Sequence, residues 1–394
     1  MIPRIATQTA LRLAKGFPIL AMTGPRQAGK TTLARSTFAD LAYVSLEDPE
    51  ERAFADRDPR GFLNRFGDGA VIDEVQHCPG LFSYLQGMVD ERGRMGDFIL
   101  TGSQHFGLLS RISQSLAGRV GLIQLLPLAM SELRDGDLLT KRLDELLWRG
   151  GYPPLYDRPL APDDWFPNYV ATDLERDVRQ LLAVRDLGLF QRFLKLCAGR
   201  TAQLINLSAL ANDCGISHVT AREWLTVLEA SYVVLLLQPD HRNFGKRLVK
   251  TPKLYFIDTG LAAWLLGIKD VETLNTHAQR GALFENLIVC EFVKQRFNDG
   301  KPAALSFWRD HTGHEVDLLF EVGSRLQAVE AKSGATFAAE WLKSLGQWLA
   351  FAEDAALPPW LVYGGDASDL REGVRVLAWR DLPDAASQFE RAAG

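Results

Sequence analysis

The sequence of 394 residues predicts an α/β fold in three modules, and three observations point to it. Near the N-terminus an apolar run leads into a glycine-rich loop and a helical pattern, and a later apolar run ends on two acids. In the middle, two helical patterns meet at a glycine, ahead of a basic stretch. In the last third, carboxylates and a lysine recur at strand-like spacing. The expected boundaries are 1–130, a helical connection over 131–190, then 191–262 and 275–394.

The composition is that of an ordinary globular protein, 47% hydrophobic and 24% charged. The length fits two or three domains rather than one core. With 44 basic against 49 acidic residues the net charge is −5, which on the whole chain argues against a dedicated nucleic-acid binder. No apolar run approaches the roughly 18–20 residues that span a bilayer. Met1-Ile2-Pro3-Arg4 does not read as a signal peptide. Cys78, Cys197, Cys214 and Cys290 are far apart, so buried thiols in a reducing cytoplasm are expected rather than zinc or disulfides.

In the first module, Ile19-Leu20-Ala21-Met22-Thr23 reads as a buried strand, and a helical pattern starts at Leu33. Between them lies Gly24-Pro25-Arg26-Gln27-Ala28-Gly29-Lys30-Thr31-Thr32, a phosphate-loop pattern. Its glycines let backbone N–H groups turn inward around phosphate oxygens, and the helix N-terminus adds partial positive charge. Lys30 reaches the β- and γ-phosphates, and the Thr31 hydroxyl ligates Mg²⁺. ATP and Mg²⁺ are therefore the expected cofactors. Gly69-Ala70-Val71-Ile72 leads into Asp73 and Glu74, about forty residues past the loop. Asp73 is read as part of the Mg²⁺ shell and Glu74 as the group that activates water. A third strand, Phe98-Ile99-Leu100-Thr101-Gly102-Ser103-Gln104, ends in polar residues that suit a γ-phosphate contact.

From about Ser131 the chain reads as helices, punctuated by Gly150-Gly151-Tyr152-Pro153-Pro154. Further on, a short helix capped by Ser208 meets a left-handed turn at Gly215. Ser217 caps a second helix, His218 to about Glu229, whose apolar positions are Val219, Trp224, Leu225 and Leu228. Thr220, Arg222 and Glu223 face outward. This is a helix-turn-helix pattern. A strand over Tyr232-Val233-Val234-Leu235-Leu236-Leu237, the basic loop Arg242-Asn243-Phe244-Gly245-Lys246-Arg247 and a strand from Lys253 to Ile257 follow, which resembles a winged helix. Residues 176–253 hold 12 basic and 6 acidic residues, a net of +6 that leaves −11 for the rest of the chain. Thr220, Arg222, Arg242, Lys246 and Arg247 are the candidate DNA contacts. Subunit packing is the competing use of such a module.

The last third carries Gly281-Ala282-Leu283-Phe284-Glu285 at a helix start and Gly313-His314-Glu315-Val316-Asp317 entering a strand. Ala328-Val329-Glu330-Ala331-Lys332 forms the next strand, and Gln347-Trp348-Leu349-Ala350-Phe351 a helix. Glu330 and Lys332 point to one side because strand side chains alternate. Asp317 on the neighbouring strand and Glu285 from the helix can join them. Asp317 and Glu330 are the candidate metal ligands, with Glu285 beside them; clustered carboxylates suit Mg²⁺. Lys332 would position water or neutralise an oxyanion, and Gln347 would orient the site or touch DNA.

Order and spacing here resemble the PD-(D/E)xK nuclease superfamily, most closely its RecB-type branch. Where that branch usually has Tyr, this sequence has Phe351. The whole chain resembles a large prokaryotic family of AAA-type ATPases with a C-terminal domain first catalogued without a function. That resemblance implies a P-loop NTPase (AAA+) domain, a helical lid and winged-helix middle, and a C-terminal α/β restriction-endonuclease-like domain. It implies Ser103 as the sensor residue, with Gln104 or Thr101 able to substitute. It offers Arg119, in Leu116-Ala117-Gly118-Arg119, as an arginine finger acting on a neighbouring subunit, with Arg111 as a rival. An ATPase acting on DNA as a homo-oligomer, a hexameric ring among its forms, is the first expectation. A nucleotide-switched DNA-binding or regulatory scaffold with a silent C-terminal site is the alternative.

Overall fold

The computed structural model describes residues 2–103, 116–176, 186–240 and 249–393. Strands β1 (Ile19–Thr23), β2 (Ala42–Ser45), β3 (Ala70–Asp73), β4 (Phe98–Gly102) and β5 (Val120–Gln124) form a parallel sheet, in the order β2-β3-β4-β1-β5. β1, β3 and β4 are buried along their whole length, as in a sheet covered on both faces. Alternation sorts the side chains. Ile19 and Ala21 pack with Phe62, Phe82 and Leu85 on one face, and Leu20 and Met22 pack with Ala6, Ala10 and Leu33 on the other. This is the P-loop NTPase arrangement, with the C-terminal ends of β1, β3 and β4 meeting at one edge.

Nine further strands make a second sheet: β6 (Gln203–Leu204), β7 (Val234–Pro239), β8 (Lys253–Phe256), β9 (Leu305–Arg309), β10 (Glu315–Val322), β11 (Arg325–Lys332), β12 (Trp360–Tyr363), β13 (Asp369–Arg371) and β14 (Val374–Ala378). Their order is β13-β14-β12-β11-β10-β9-β7-β8-β6. The expected middle and last modules therefore share one sheet. β7 pairs in parallel with β9 through Gln238↔Ser306 and Pro239↔Phe307. Helix Arg280–Asn298 covers one face, with Leu287 and Phe292 against Phe320, Val329 and Val362. Helix Lys343–Ala352 covers the other, with Leu345 and Trp348 against Trp308, Leu319 and Leu361. Val316 and Leu319, three apart on β10, reach the same face because the register with β9 shifts between them. Asp317 lies on that irregularity, a common device for re-aiming a side chain.

Helices Leu207–Cys214 and His218–Ala230 meet at Gly215, whose φ of 79° is the left-handed turn expected there. Three local expectations are corrected. The first helix is capped by Asn206, which accepts from Ala209 N–H at 3.0 Å, because it starts at Leu207 and leaves Ser208 inside the first turn. Val219 is 64% exposed, since the buried stripe runs Ala221, Trp224, Leu225 and Leu228 at helical spacing. Tyr232 is not in the strand: its φ is 56°, and β7 begins only at Val234. Trp224 anchors the pair edge-on to Phe190 and Phe193, each at 5.4 Å between centroids.

Polar contacts brace the first sheet and the segments that connect it to the second. Tyr232 OH lies 2.8 Å from Thr23 Oγ1, and Gln124 Nε2 donates to it at 3.1 Å. Thr23 is the last residue of β1, so this hydroxyl sits directly behind the glycine-rich loop. Arg4 donates to Ala28 O at 2.6 Å, Leu126 O at 2.7 Å and Glu132 Oε1 at 3.0 Å. Gly151 N–H donates to Asp258 Oδ2 at 2.6 Å, and a Cβ at the preceding Gly150 (φ 72°) would collide with that carboxylate. No described helix is long and apolar enough to cross a membrane. The four cysteines are buried and free.

Candidate functional site

The loop Gly24–Thr32 leaves β1 and enters helix Lys30–Thr37. Gly24 has φ 147°, and a Cβ there would run into Leu125 O; Gly29, φ 93°, caps the helix. Lys30 Nζ donates to Gly24 O at 3.0 Å and Pro25 O at 2.8 Å, which keeps the buried ammonium inside the loop. Thr31 Oγ1 is 3.0 Å from both Asp73 carboxylate oxygens. Tyr43 OH donates to Asp73 Oδ2 at 2.9 Å, and Thr101 Oγ1 donates to Oδ1. Burial and the Asp73 carboxylate push the Tyr43 hydroxyl up to about 12. A threonine hydroxyl touching the carboxylate at the loop end of β3 is a donor set that fits Mg²⁺.

Glu74 follows Asp73 with φ 54°, a left-handed conformation that bends the chain at the end of β3. Gln76 Nε2 donates to Glu74 Oε2 and, at 3.4 Å, to Ser103 Oγ, so Ser103 joins the site through that amide. Arg26 Nη1 lies 3.9 Å from Glu47, and Arg176 Nη2 lies 3.3 Å from it. Gln27 donates to Asp173 Oδ2 at 2.5 Å. Arg26, Gln27, Glu47 and Asp173 line a cleft of about 460 Å³ with Lys30, Thr31, Thr32, Asp73 and Glu74. Pro153, Pro154 and Arg158 close its far side. Arg119 is elsewhere. It stands at the start of β5, opposite the loop edge, and binds Asp90 through Nε at 2.6 Å and Nη2 at 2.7 Å. Gln104 and Arg111 lie outside the described residues. Sequence reading missed Tyr43, Gln76, Arg158 and Asp173, which have no motif of their own.

The second sheet brings together Glu285, Asp317, Glu330 and Lys332, as their spacing predicted. Lys332 Nζ donates to Glu330 Oε1 at 2.7 Å, and Ala331 N–H donates to Asp317 Oδ2 at 2.9 Å. Three more residues, unforeseen, complete the cluster. Lys253 Nζ is 2.8 Å from Glu285 Oε1 and 3.5 Å from Asp317 Oδ1, and it also contacts Glu315. Tyr255 OH donates to Glu285 Oε1 at 2.6 Å. Burial opposes the charge on Lys253, but Glu285, Asp317 and Glu315 more than offset it, so its pKa rises. Burial and Asp317 push Glu285 up to about 7 and Glu330 up to about 8. Glu330 Oε2 is buried without a hydrogen-bond partner among the described residues. An orphaned carboxylate oxygen beside Asp317 fits a hard divalent cation. Gln347 is half-buried on its helix and does not hydrogen-bond these carboxylates. Phe351 packs on Trp308, with ring centroids 5.3 Å apart.

On the helix-turn-helix, Arg222 is exposed, while Thr220 is tied to the cap: Thr220 N–H donates to Ser217 Oγ at 3.0 Å. Arg242, Lys246 and Arg247 lie outside the described residues.

Residues 16–134 match a family model described as AAA domain. Residues 140–272 and 280–382 match two described as domains of unknown function, DUF8612 and DUF4143. The chain is 34% identical over 323 residues to "Uncharacterized protein Rv2008c" of Mycobacterium tuberculosis, covering 81% of this chain and 71% of that protein. "Uncharacterized protein Mb2031c" of Mycobacterium bovis matches with the same figures. The chain belongs to the family of these two proteins. With its AAA domain this family member is a prokaryotic AAA-type ATPase by fold, and nucleotide binding, typically with Mg²⁺, goes with that class. Among solved structures, the Walker-type ATPase PABY2304 of Pyrococcus abyssi covers 67% of this chain and 96% of its own, at 14% identity and a TM-score of 0.45. A likeness of that size bears no weight on what the family member does.

Proposed function

We propose that the chain hydrolyses ATP in its N-terminal cleft and acts on DNA, which its C-terminal carboxylate site cuts. The observation that carries the first half is the meeting of Thr31, Asp73 and Glu74 at the mouth of the phosphate loop. Bound there by Thr31 and Asp73, Mg²⁺ would supply charge neutralisation on the phosphates. Lys30 turns from loop carbonyls to phosphate oxygens. Glu74 accepts a proton from the attacking water, and Gln76 holds Glu74 and Ser103 in register. To act on the nucleotide of a neighbouring subunit in an oligomer, Arg119 would have to leave Asp90, which holds it at the end of the sheet opposite the loop.

The helix-turn-helix and its three strands are read as a winged helix. Arg222 and the basic loop Arg242, Lys246 and Arg247 would contact the phosphate backbone, with Thr220 at the helix start. The second sheet is read as a restriction-endonuclease-like fold. Asp317 and Glu330 would hold the divalent cation that activates water; Lys332 would neutralise the scissile phosphate, and Gln347 would touch DNA. The convergence of Glu285, Asp317, Glu330 and Lys332 supports this half.

One experiment tests both halves. The pure protein is incubated with DNA, Mg²⁺ or Mn²⁺, and ATP, beside Lys30→Ala and Asp317→Ala variants. ATP hydrolysis abolished in Lys30→Ala and nicking abolished in Asp317→Ala are expected. Equal nicking by Asp317→Ala would overturn the nuclease assignment. A second reading, a nucleotide-switched scaffold with a silent C-terminal site, draws on Lys253, which already balances part of the cluster's charge. DNA binding that responds to ATP without any nicking would favour it.

A further inference from the structure

Lys253 belongs to β8, in the middle module, yet its side chain ends among the carboxylates of the last one. The ligand oxygens of Glu285, Glu315 and Asp317 all lie within 4.8 Å of one another, the span of one ion's shell. The ammonium is inside that span, at 2.8 Å from Glu285 Oε1 and 3.5 Å from Asp317 Oδ1. Its side chain is only 1% exposed, so it is fixed rather than a passing surface contact. Tyr255, two residues along and on the same side of β8, adds a hydrogen bond to Glu285. Glu330 is not a partner of this ammonium. Its Oε1 is bound by Lys332, and its buried Oε2 has no donor among the described residues. Asp317 stands between the two groups: Oδ1 faces Lys253, and Oδ2 accepts from Ala331 N–H.

We infer that the cluster has two cation positions and that the Lys253 ammonium permanently fills the one formed by Glu285, Glu315 and Asp317. A single divalent cation is left to the other position, on Asp317 and Glu330. This rests on reading the cluster as a divalent-metal site. A fixed ammonium can do this because it is a compact point charge with three donors. Without it, three carboxylates crowded into that span, Asp317 buried and Glu285 and Glu315 half-buried, would repel one another and draw in another cation. The middle module thus supplies part of the electrostatics of the C-terminal site.

The test counts Mn²⁺ bound to the full-length, nucleotide-free protein, in an Asp73→Asn background that silences the N-terminal position. One Mn²⁺ per chain is expected, and Glu330→Gln should abolish it. Lys253→Met should bind two, and adding Glu315→Gln should remove the second. If Lys253→Met does not fold by itself, Mn²⁺ should restore its circular dichroism where NaCl of equal ionic strength does not. A folded Lys253→Met that binds no more Mn²⁺ than its parent overturns the inference, and so does an unfolded one that Mn²⁺ leaves unfolded. No Mn²⁺ in the parent but one in Lys253→Met supports the place given to Lys253, while refuting metal-dependent cutting at Glu330.

Discussion

At the end of β3, Asp73 is held by three hydroxyls, from Thr31, Tyr43 and Thr101. In the second sheet, Glu285, Glu315 and Asp317 are held by an ammonium, that of Lys253. Hydroxyls stabilise a carboxylate without cancelling its charge, so under the proposed function Asp73 would remain open to a cation that arrives with nucleotide. An ammonium offsets part of that charge before any ligand arrives. The nearby Lys30 respects the difference, since its Nζ binds carbonyls of the loop. One chain therefore holds one carboxylate site stabilised by neutral donors and another stabilised by a fixed cation.

The largest effect that would sharpen this contrast is on turnover. Glu74→Gln should bind ATP yet hydrolyse it about 10²–10⁴-fold more slowly, measured as phosphate release. Full turnover would remove Glu74 from the reaction. Next is stability. Lys253→Met should cost about 3–5 kcal/mol in urea unfolding without divalent ions, because the crowded carboxylates lose their counter-charge. A cost near zero would break the idea of a site stabilised by a fixed cation. Thr101→Val, which takes one hydroxyl from Asp73, should cost less, about 1.5–3 kcal/mol. The smallest effect is expected for Tyr232→Phe, about 1 kcal/mol, from its lost bonds to Thr23 and Gln124.

The two sites also differ in how far the sequence revealed them. The phosphate loop is nine consecutive residues whose backbone does the work, so its chemistry is written contiguously. Asp73 was legible because a strand delivers it at a known distance. Glu285, Asp317, Glu330 and Lys332 were legible by spacing and alternation, which local periodicity carries. Lys253 and Tyr255 were not. They reach Glu285 because helix Arg280–Asn298 packs on β8, where Phe256 N–H donates to Asn286 Oδ1 at 2.7 Å. Lys253 reaches the carboxylates of β10 across a sheet in which β7 pairs with β9. Such contacts between distant segments leave no periodic trace. Tyr43 and Gln76 escaped for a similar reason, as single polar residues whose partners lie across the sheet edge. The misplaced cap at Ser208 and the misassigned Val219 have simpler causes: the helix starts two residues earlier, where Asn206 takes the cap, and the second helix turns a different face inward, which the packing of Trp224 on Phe190 and Phe193 decides.

The β7–β9 junction has a practical consequence for taking the molecule apart. A fragment starting near residue 275 would present β9 as a raw edge, its outward N–H and C=O groups seeking any strand. A fragment ending near residue 262 would do the same with β7. Such edges invite aggregation and swapping between copies. Dissection at either point would yield sticky halves, and the severed C-terminal half would also lack its lysine.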